Sequence, residues 1–238
     1  MMGTARGRAR ALSRCEILMV YGLREGLSFC EVGGRHLFID IFRARYFCLS
    51  EELEADFRQL RTAEIAGVTA SSRRLTDAGI LTCGGTPTTL AGIDTPEAVG
   101  SSILDAIDRD LSLLHLPEMA MRLIAASFLL KRQRLASCLH RLSKVKHARR
   151  RGLTSDRREM AKAVTALERL RLIATAEDRC LPRSIALAHH LFARGCDCQF
   201  VIGVKLGPFA AHSWVQAGAE ALNDRPENIR DFKPIFVI

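Results

Sequence analysis

The sequence changes its pattern near residue 196 in a way that limits the possible folds. Residues 180–195 carry an apolar repeat typical of one amphipathic helix. Four strand-like segments follow this helix: CDCQFVIGVK, AHSWVQAG, EALND and FKPIFVI. Because these strands follow one another and do not alternate with helices, the pattern indicates an α+β fold.

A second block of strands lies near the front of the chain. Residues 27–49 contain three apolar runs, and the pair Gly33 and Gly34 between the first two is typical of a β-hairpin turn. Ser50 then begins a helix whose acidic first turn suits the helix dipole, and residues 69–79 are again helical. Three strands followed by helices and a short strand predict a winged-helix-like domain.

These patterns predict the following organisation of the chain. Residues 84–96 are rich in Gly, Thr and Pro, which is typical of a linker. We therefore expect a basic tail over residues 1–23, the winged-helix-like domain over 24–83, the linker over 84–96, and a second domain over 97–238. Within the second domain, residues 97–175 are helical in character, and residues 176–238 combine the helix of Cys180 with the strands.

Composition excludes several classes of protein. With 48% hydrophobic and 26% charged residues among 238, the chain is expected to be globular and folded. The longest apolar run, 118–130, contains charges and is too short to span a membrane. No export signal is recognisable, so we expect a cytoplasmic protein whose eight cysteines are thiols. Without a nucleotide-binding fingerprint or paired metal-ligand spacing, neither a cofactor nor a metal site is expected.

The net charge of +9 is concentrated in one segment. Residues 131–158 hold eleven Lys and Arg and a single acid. Such a run can bind nucleic acid, an anionic membrane surface or an acidic partner, or it can be the solvated face of a helix. The apolar stripe formed by Leu135, Leu139 and Leu142 favours the solvated face.

Three residues near the C-terminus have the properties of a nucleophilic site. Cys180 heads a helix, where the helix dipole favours the reactive thiolate. A nucleophilic thiol needs a base and an orienting acid, and His212 and Asp224 lie downstream. In a hairpin centred on Gly218, His212 would lie opposite Asp224. The alternative is that Cys180 is simply a small buried side chain.

Neighbouring histidines and cysteines invite a metal interpretation, which we do not favour. His189 and His190 are expected on the helix surface. Cys196 and Cys198 alternate with polar residues, so they are expected on the buried face of a strand.

The motifs CLPRSIALAHHLFARG, FVIGVKLGPFAAHSWVQ and ALND resemble the C-terminal domain of the lasso-peptide biosynthesis B proteins, the McjB family, over roughly residues 155–238. This resemblance implies a papain-related, transglutaminase-like fold and a cysteine peptidase that removes the leader from a lasso precursor. Cys180 would attack the scissile carbonyl, His212 would transfer the proton, and Asp224 would hold the imidazole. The sequence departs from the family pattern at Ser213 and Gln216, where Ala and Glu are commoner.

The resemblance also implies partners and a second functional element. The partners are the precursor peptide and an asparagine-synthetase-like lasso cyclase, and nucleic acid is not expected. Residues 25–82 are similar to the PqqD-like leader-recognition element, which binds a leader as an added strand beside a helix. The candidate edge strand is 45–49, and the candidate leader-binding residues are Tyr46, Phe47, Leu49, Arg73 and Arg74. Tyr46 and Phe47 can equally be core residues of the small domain.

Two other functions remain open from the residues alone. A transglutaminase-like domain can hold a precursor without cutting it, although an intact set of Cys180, His212 and Asp224 argues against that function. A winged-helix DNA-binding regulator is suggested by Arg73, Arg74 and the positive charge. The helix 69–79 offers few side chains that could read bases, and most basic residues lie outside that domain.

Overall fold

The computed structural model describes residues 21–62, 69–83, 90, 92–106, 115–132, 135–149, 154–171 and 180–238. In chain order, its strands and helices are β1 (Tyr21–Leu23), β2 (Leu27–Val32), β3 (Arg35–Asp40), β4 (Arg45–Cys48), α1 (Glu51–Thr62), α2 (Ala70–Asp77), β5 (Leu81–Cys83), β6 (Ser101–Ser102), α3 (Leu116–Lys131), α4 (Leu135–Ala148), α5 (Arg157–Arg171), α6 (Cys180–Ala193), β7 (Gln199–Lys205), β8 (Ala210–Ala217), β9 (Glu220–Ala221), α7 (Pro226–Ile229) and β10 (Lys233–Val237). A short 3-10 turn, Ile103–Asp105, follows β6. The fold therefore mixes helices and sheets, as the sequence predicted. The basic tail up to residue 20 and residues 84–89 and 91 of the predicted linker lie outside the described residues.

The chain divides into two compact units. The first unit comprises residues 1–24 and 51–91, and the second comprises 25–50 and 92–238. This division differs from the predicted boundaries, which placed residues 24–83 in one domain. None of the helices that the structure describes is long and apolar enough to cross a membrane.

The first unit contains two helices and a short two-stranded sheet. Strands β1 and β5 pair antiparallel, and helices α1 and α2 pack against each other. The start of α2 is capped by Thr69, whose hydroxyl accepts from the Ser72 N–H while the Ser72 hydroxyl accepts from the Thr69 N–H. A two-pronged ion pair between Asp56 and Arg74, with N···O distances of 2.6 and 2.7 Å, joins the two helices.

The second unit is built on a five-stranded sheet with the order β10-β7-β8-β9-β6. Its pairs are antiparallel, except that β6 runs parallel to β9. Helix α6 packs against β8 and β7, and helices α3, α4 and α5 pack in turn against α6. On α6 the buried side chains are Ser184, Ile185, Ala186, Leu187, Ala188, His190, Leu191 and Phe192. A helix buried over so much of its surface is held rigidly, which fixes the position of its first residue.

Alternation along β7 places its residues in two separate apolar clusters. Phe200, Ile202 and Val204 belong to the large core cluster that contains α6, whereas Val201 packs with Trp214 in a smaller cluster. Cys196 and Cys198 are each 1% exposed. Their predicted place on the buried side is therefore confirmed.

A separate three-stranded antiparallel sheet, β2-β3-β4, also belongs to the second unit. Strand β2 packs against β10, where the Ser28 hydroxyl donates to the Ile235 carbonyl at 2.6 Å. Leu37 and Ile39 of β3 join the core cluster that contains α6. This packing explains why residues 25–50 group with the second unit, while α1 and α2 form the first.

Helix α4 supports the interpretation of the basic run as a solvated helix face. Leu135, Leu139 and Leu142 are all buried, as the apolar stripe predicted. Arg141 and Lys144, between and beside them, are exposed. Residues 133–134 and 150–153 of the run lie outside the described part of the chain.

Candidate active site

Cys180 is the first residue of α6, as the sequence predicted. The first turn of an α-helix has unpaired N–H groups, and together with the helix dipole they stabilise negative charge. The side chain is half-buried. A cysteine in this position can ionise readily and can still be reached by a reactant.

His212 lies in β8, and its Nε2 atom is 2.5 Å from Oδ2 of Asp224. The predicted register that led to this pair is wrong by one residue. Gln216 pairs with Ala221, so the hairpin is centred between residues 218 and 219 and not on Gly218. The ladder ends at Ala221, and the chain beyond it carries Asp224 back to the imidazole.

The carboxylate of Asp224 is held from both sides. Its Oδ1 atom accepts from the Arg225 N–H and from Nδ2 of Asn228, each at 2.8 Å. The Ser102 hydroxyl donates to the Asp224 carbonyl at 2.7 Å. Burial alone would raise the pKa of Asp224, but the hydrogen bonds from His212 and Asn228 outweigh it and hold this pKa below its usual value. The group is therefore an oriented anion.

A clamp formed by Ser184 and Asn223 aligns the helix with the strand. The Ser184 hydroxyl donates to the Ser213 carbonyl at 2.8 Å and accepts from Nδ2 of Asn223 at 2.9 Å. Oδ1 of Asn223 accepts from the Val215 N–H at 2.7 Å. Since Ser184 lies one turn after Cys180 on the same helix face, this clamp sets the position of the thiol beside β8. The resemblance pointed to both clamp residues, but sequence reasoning assigned them no role.

The electrostatics of Cys180 and His212 favour a charged pair. Burial would raise the pKa of the Cys180 thiol, but His212 and, to a smaller extent, the polar groups of Ser213 bring it below its usual value of 9.0. Burial would lower the pKa of His212, but Asp224 and Cys180 raise it to about 9. The lowered pKa of the thiol and the raised pKa of the imidazole both favour a thiolate paired with an imidazolium, and the titration belongs to the two groups together.

Aromatic side chains cover the imidazole of His212. The Trp214 ring stacks at 6.3 Å between centroids, and the Phe232 ring lies at 5.4 Å. Trp214 fits because Gly203 lies beneath it, where a Cβ atom would be 2.7 Å from the indole. Gln216, one of the two departures from the family pattern, accepts from the Trp214 indole N–H at 2.7 Å. These contacts keep water from one side of the imidazole and leave few orientations for it.

The structure places the three leader-binding candidates in and just after β4 in different environments. Tyr46 is half-buried with its ring 5.4 Å from that of Phe209, and burial together with the nearby charge of Cys180 raises the pKa of Tyr46 to about 12. Phe47 stacks on Phe38 at 5.4 Å. Leu49 is buried, at 4% exposed, so its side chain offers little surface. Tyr46 is thus the candidate that is within electrostatic range of the nucleophile.

The other two leader-binding candidates lie on α2 in the first unit. Arg73 is exposed. Arg74 is engaged by Asp56 and also lies 3.6 Å from Glu52. Asp56 holds the pKa of the Arg74 guanidinium above its usual value, so this charge is already neutralised within the helix pair.

The predicted surface position of His190 is wrong. His190 is 0% exposed, whereas its neighbour His189 is half-buried. Helices α3 and α5 pack against α6 and cover this residue, and they lie too far away in sequence for a local pattern to reveal the cover.

His190 belongs to a polar cluster with His115 and Glu118, whose ligand-type atoms lie within 4.8 Å of one another. The Glu118 carboxylate already accepts from Arg122 at 2.6 Å and from Arg194 at 2.8 Å. These two guanidinium groups would repel a cation bound between the histidines. The arrangement is therefore better suited to an ion-pair network that joins helices than to a metal site.

The part of the chain that carries this site is similar to known proteins. The Transglutaminase-like superfamily matches residues 120–237, the range that contains Cys180, His212 and Asp224. Over 52 residues the chain is 48% identical to the Microcin J25-processing protein McjB of Escherichia coli. This stretch covers 22% of the chain and only 24% of that relative. No solved structure matches the chain. Residues 120–237 therefore match a transglutaminase-like domain, and a 52-residue stretch of the chain is similar to McjB.

Proposed function

We propose that the protein is a cysteine peptidase that removes the leader from a lasso-precursor peptide. The observation that carries this proposal is the constellation of Cys180 at the start of a helix, His212 as its hydrogen-bond partner, and Asp224 at 2.5 Å from that histidine. A peptide substrate is supported by the name of the relative, which describes a protein that processes microcin J25.

The chemistry follows from the charges of the site. The Cys180 thiolate attacks the carbonyl carbon of the scissile peptide bond, and the imidazolium of His212 gives its proton to the leaving amine. The peptide C–N bond breaks, and the leader remains attached to the sulfur as a thioester. Neutral His212 then takes a proton from water, the hydroxide attacks the thioester, and the thiolate is restored. Asp224 acts by orienting the imidazole and stabilising its charged form.

Strand β4 is suited to deliver the peptide to this site. Within the described part of the chain it pairs with β3 alone, so one edge of the strand has unpaired backbone groups. A peptide can add to such an edge as a further strand. Because Tyr46 of β4 is close enough to Cys180 for the charge of the sulfur to raise its pKa, a peptide held there would run near the thiol. This supports a role of β4 in a PqqD-like recognition of the leader. Exposed Arg73, on α2 of the other unit, stays a separate candidate for leader binding.

The reaction has a chemical consequence for the partner. Hydrolysis of the peptide bond releases a core peptide with a free α-amino group, which is the nucleophile needed to form a macrolactam. The resemblance to the B proteins therefore supports an asparagine-synthetase-like cyclase as the enzyme that consumes this product.

The test is to incubate the protein with its cognate precursor and to search for the released leader by mass spectrometry. The wild-type protein and the control variant Cys30→Ala, which removes another half-buried thiol of the same unit, should both release it. Cys180→Ala should release none. Cleavage by Cys180→Ala would overturn the assignment of the nucleophile. Precursor binding without any cleavage by the wild type would favour the non-catalytic binding module.

A further inference from the structure

The hydroxyl of Ser213 stands out among the buried polar groups of the second unit. Ser213 is 2% exposed, and among the described residues its Oγ is the buried side-chain atom without a hydrogen-bond partner. A buried hydroxyl with no acceptor costs free energy, so its presence needs an explanation, and a role at a reactive site is one of the recognised explanations.

The neighbours of Ser213 indicate what that partner is. Its carbonyl accepts the hydrogen bond from Ser184, which lies one turn after Cys180 on the same face of α6. The helix face that carries the thiol is therefore held directly against this part of β8. His212, the hydrogen-bond partner of the thiol, is the residue immediately before Ser213. The thiol of Cys180, on the helix face that meets this part of β8, is therefore the acceptor there whose charge changes on ionisation.

We propose that the Ser213 hydroxyl donates a hydrogen bond to the thiolate of Cys180. A neutral thiol is a weak acceptor, whereas a thiolate accepts strongly, so the bond forms when the sulfur loses its proton. This accounts for a hydroxyl that has no partner before ionisation. In accord with this, the polar groups of Ser213, in addition to His212, act against the effect of burial and lower the pKa of Cys180.

The proposed donor distinguishes this chain from the family pattern, in which Ala is commoner at this position. An alanine offers the backbone N–H to the sulfur but no hydroxyl. The serine therefore adds one donor to the thiolate and shifts its ionisation to lower pH. The inference concerns the charged sulfur alone, so it holds whether or not the protein cleaves peptides.

The test compares Ser213→Thr with Ser213→Val, because Thr and Val have nearly the same shape and differ in the hydroxyl. The measurement is the rate of iodoacetamide alkylation at Cys180 as a function of pH, followed by mass spectrometry of the peptide that contains Cys180. Iodoacetamide reacts with the thiolate, so the midpoint of the profile reports the ionisation of the sulfur.

We expect the midpoint for Ser213→Thr to stay near that of the wild type. For Ser213→Val it should move up by about one pH unit, so that alkylation below the midpoint is about tenfold slower, with the same rate at high pH. Coincident midpoints of Thr and Val variants would overturn the proposal. The buried thiols of Cys196 and Cys198 provide the control for folding, since they should stay protected in both variants. Ser213→Ala gives a second comparison with the wild type if either β-branched variant loses this protection.

Discussion

Helix α6 carries a histidine cluster near each of its ends, and the two clusters use similar residues with opposite results. At the start of the helix, Cys180 contacts His212, which is bonded to Asp224. Near the end, His190 lies 3.1 Å from His115 and 3.5 Å from the carboxylate of Glu118. Both clusters join a histidine to an acid within the same unit.

The difference lies in the sign of the surrounding charge. His212 has two anionic neighbours, and these raise its pKa to about 9 although burial opposes them. His190 is fully buried, and burial together with Arg194 and Arg122 keeps its pKa well below the usual range despite the nearby Glu118. Near neutral pH the first histidine is a charged proton donor and the second is neutral. The comparison teaches that an acid beside a histidine is not sufficient for acid–base chemistry; the remaining neighbours decide its protonation.

The largest difference in cleavage rate between the two clusters is expected when the histidine of each is replaced. His212→Gln should reduce leader cleavage by about a thousandfold or more, because the thiolate loses its counter-ion and the leaving amine loses its proton donor. His190→Gln should leave the rate within a few fold of the wild type. Cleavage assays by mass spectrometry on both variants measure this contrast. Equal losses of activity in the two variants would mean that the clusters do not differ in chemical role.

A smaller effect is expected from the acid of the first cluster. Asp224→Asn keeps the shape of the side chain but removes the negative charge, so the pKa of His212 should fall from about 9. A raised pKa of histidine means that the charged form persists below that value and is lost as the pH rises through it. The alkaline limit of cleavage, near pH 9 in the wild type, should therefore move to lower pH. Cleavage should also slow by about a hundredfold.

Rate profiles against pH, with NMR titration of His212, test both expectations. If the alkaline limit of cleavage stays where it is in the wild type, the role given to Asp224 is contradicted.

The smallest effect on chemistry is expected from the acid of the second cluster. Arg194, together with Arg122, holds the pKa of the Glu118 carboxyl well below its usual value of 4.5. The ionised carboxylate therefore contributes to stability above pH 4.5, and this contribution is lost as the pH falls below 4.5. Glu118→Gln should lower the free energy of unfolding by about 1–3 kcal/mol near neutral pH, since two charged hydrogen-bond donors lose their partner.

The difference between Glu118→Gln and the wild type should shrink in acid, which urea unfolding at several pH values would measure. Cysteine alkylation at Cys180 should be unchanged in this variant. A loss of alkylation without a loss of stability would show that the second cluster acts on the thiol.

Local patterns predicted the features that depend on near neighbours in the chain. The start of α6 at Cys180, the hairpin of β2 and β3, and the buried stripe of α4 all follow from periodicity and turn residues. The predicted register between β8 and β9 is wrong by one residue. The reason is that the glycine alone does not specify the type of turn at Gly218 and Ala219. The contact between His212 and Asp224 nevertheless forms, since it depends on the chain after Ala221 and not on the ladder.

Other features depend on packing between distant segments, and no local pattern contains them. The burial of His190 requires α3 and α5, and the grouping of residues 25–50 with the second unit requires β10. The clamp of Ser184 and Asn223 joins residues 39 positions apart. Its sequence signal is only a serine one turn after the cysteine and an asparagine before the aspartate.

The sequence by itself determined which reactive side chains this protein has and in which local structure each lies: a cysteine at a helix start, a histidine in a strand, an aspartate beyond a turn, and a charged helix with an apolar stripe. Only the tertiary structure decided which of these groups meet and in which protonation state. The reason is physical. Helix starts and strand alternation follow from interactions a few residues apart, whereas burial and the sign of the neighbouring charges, which set the pKa of Cys180, His212 and His190, arise only when distant segments pack together.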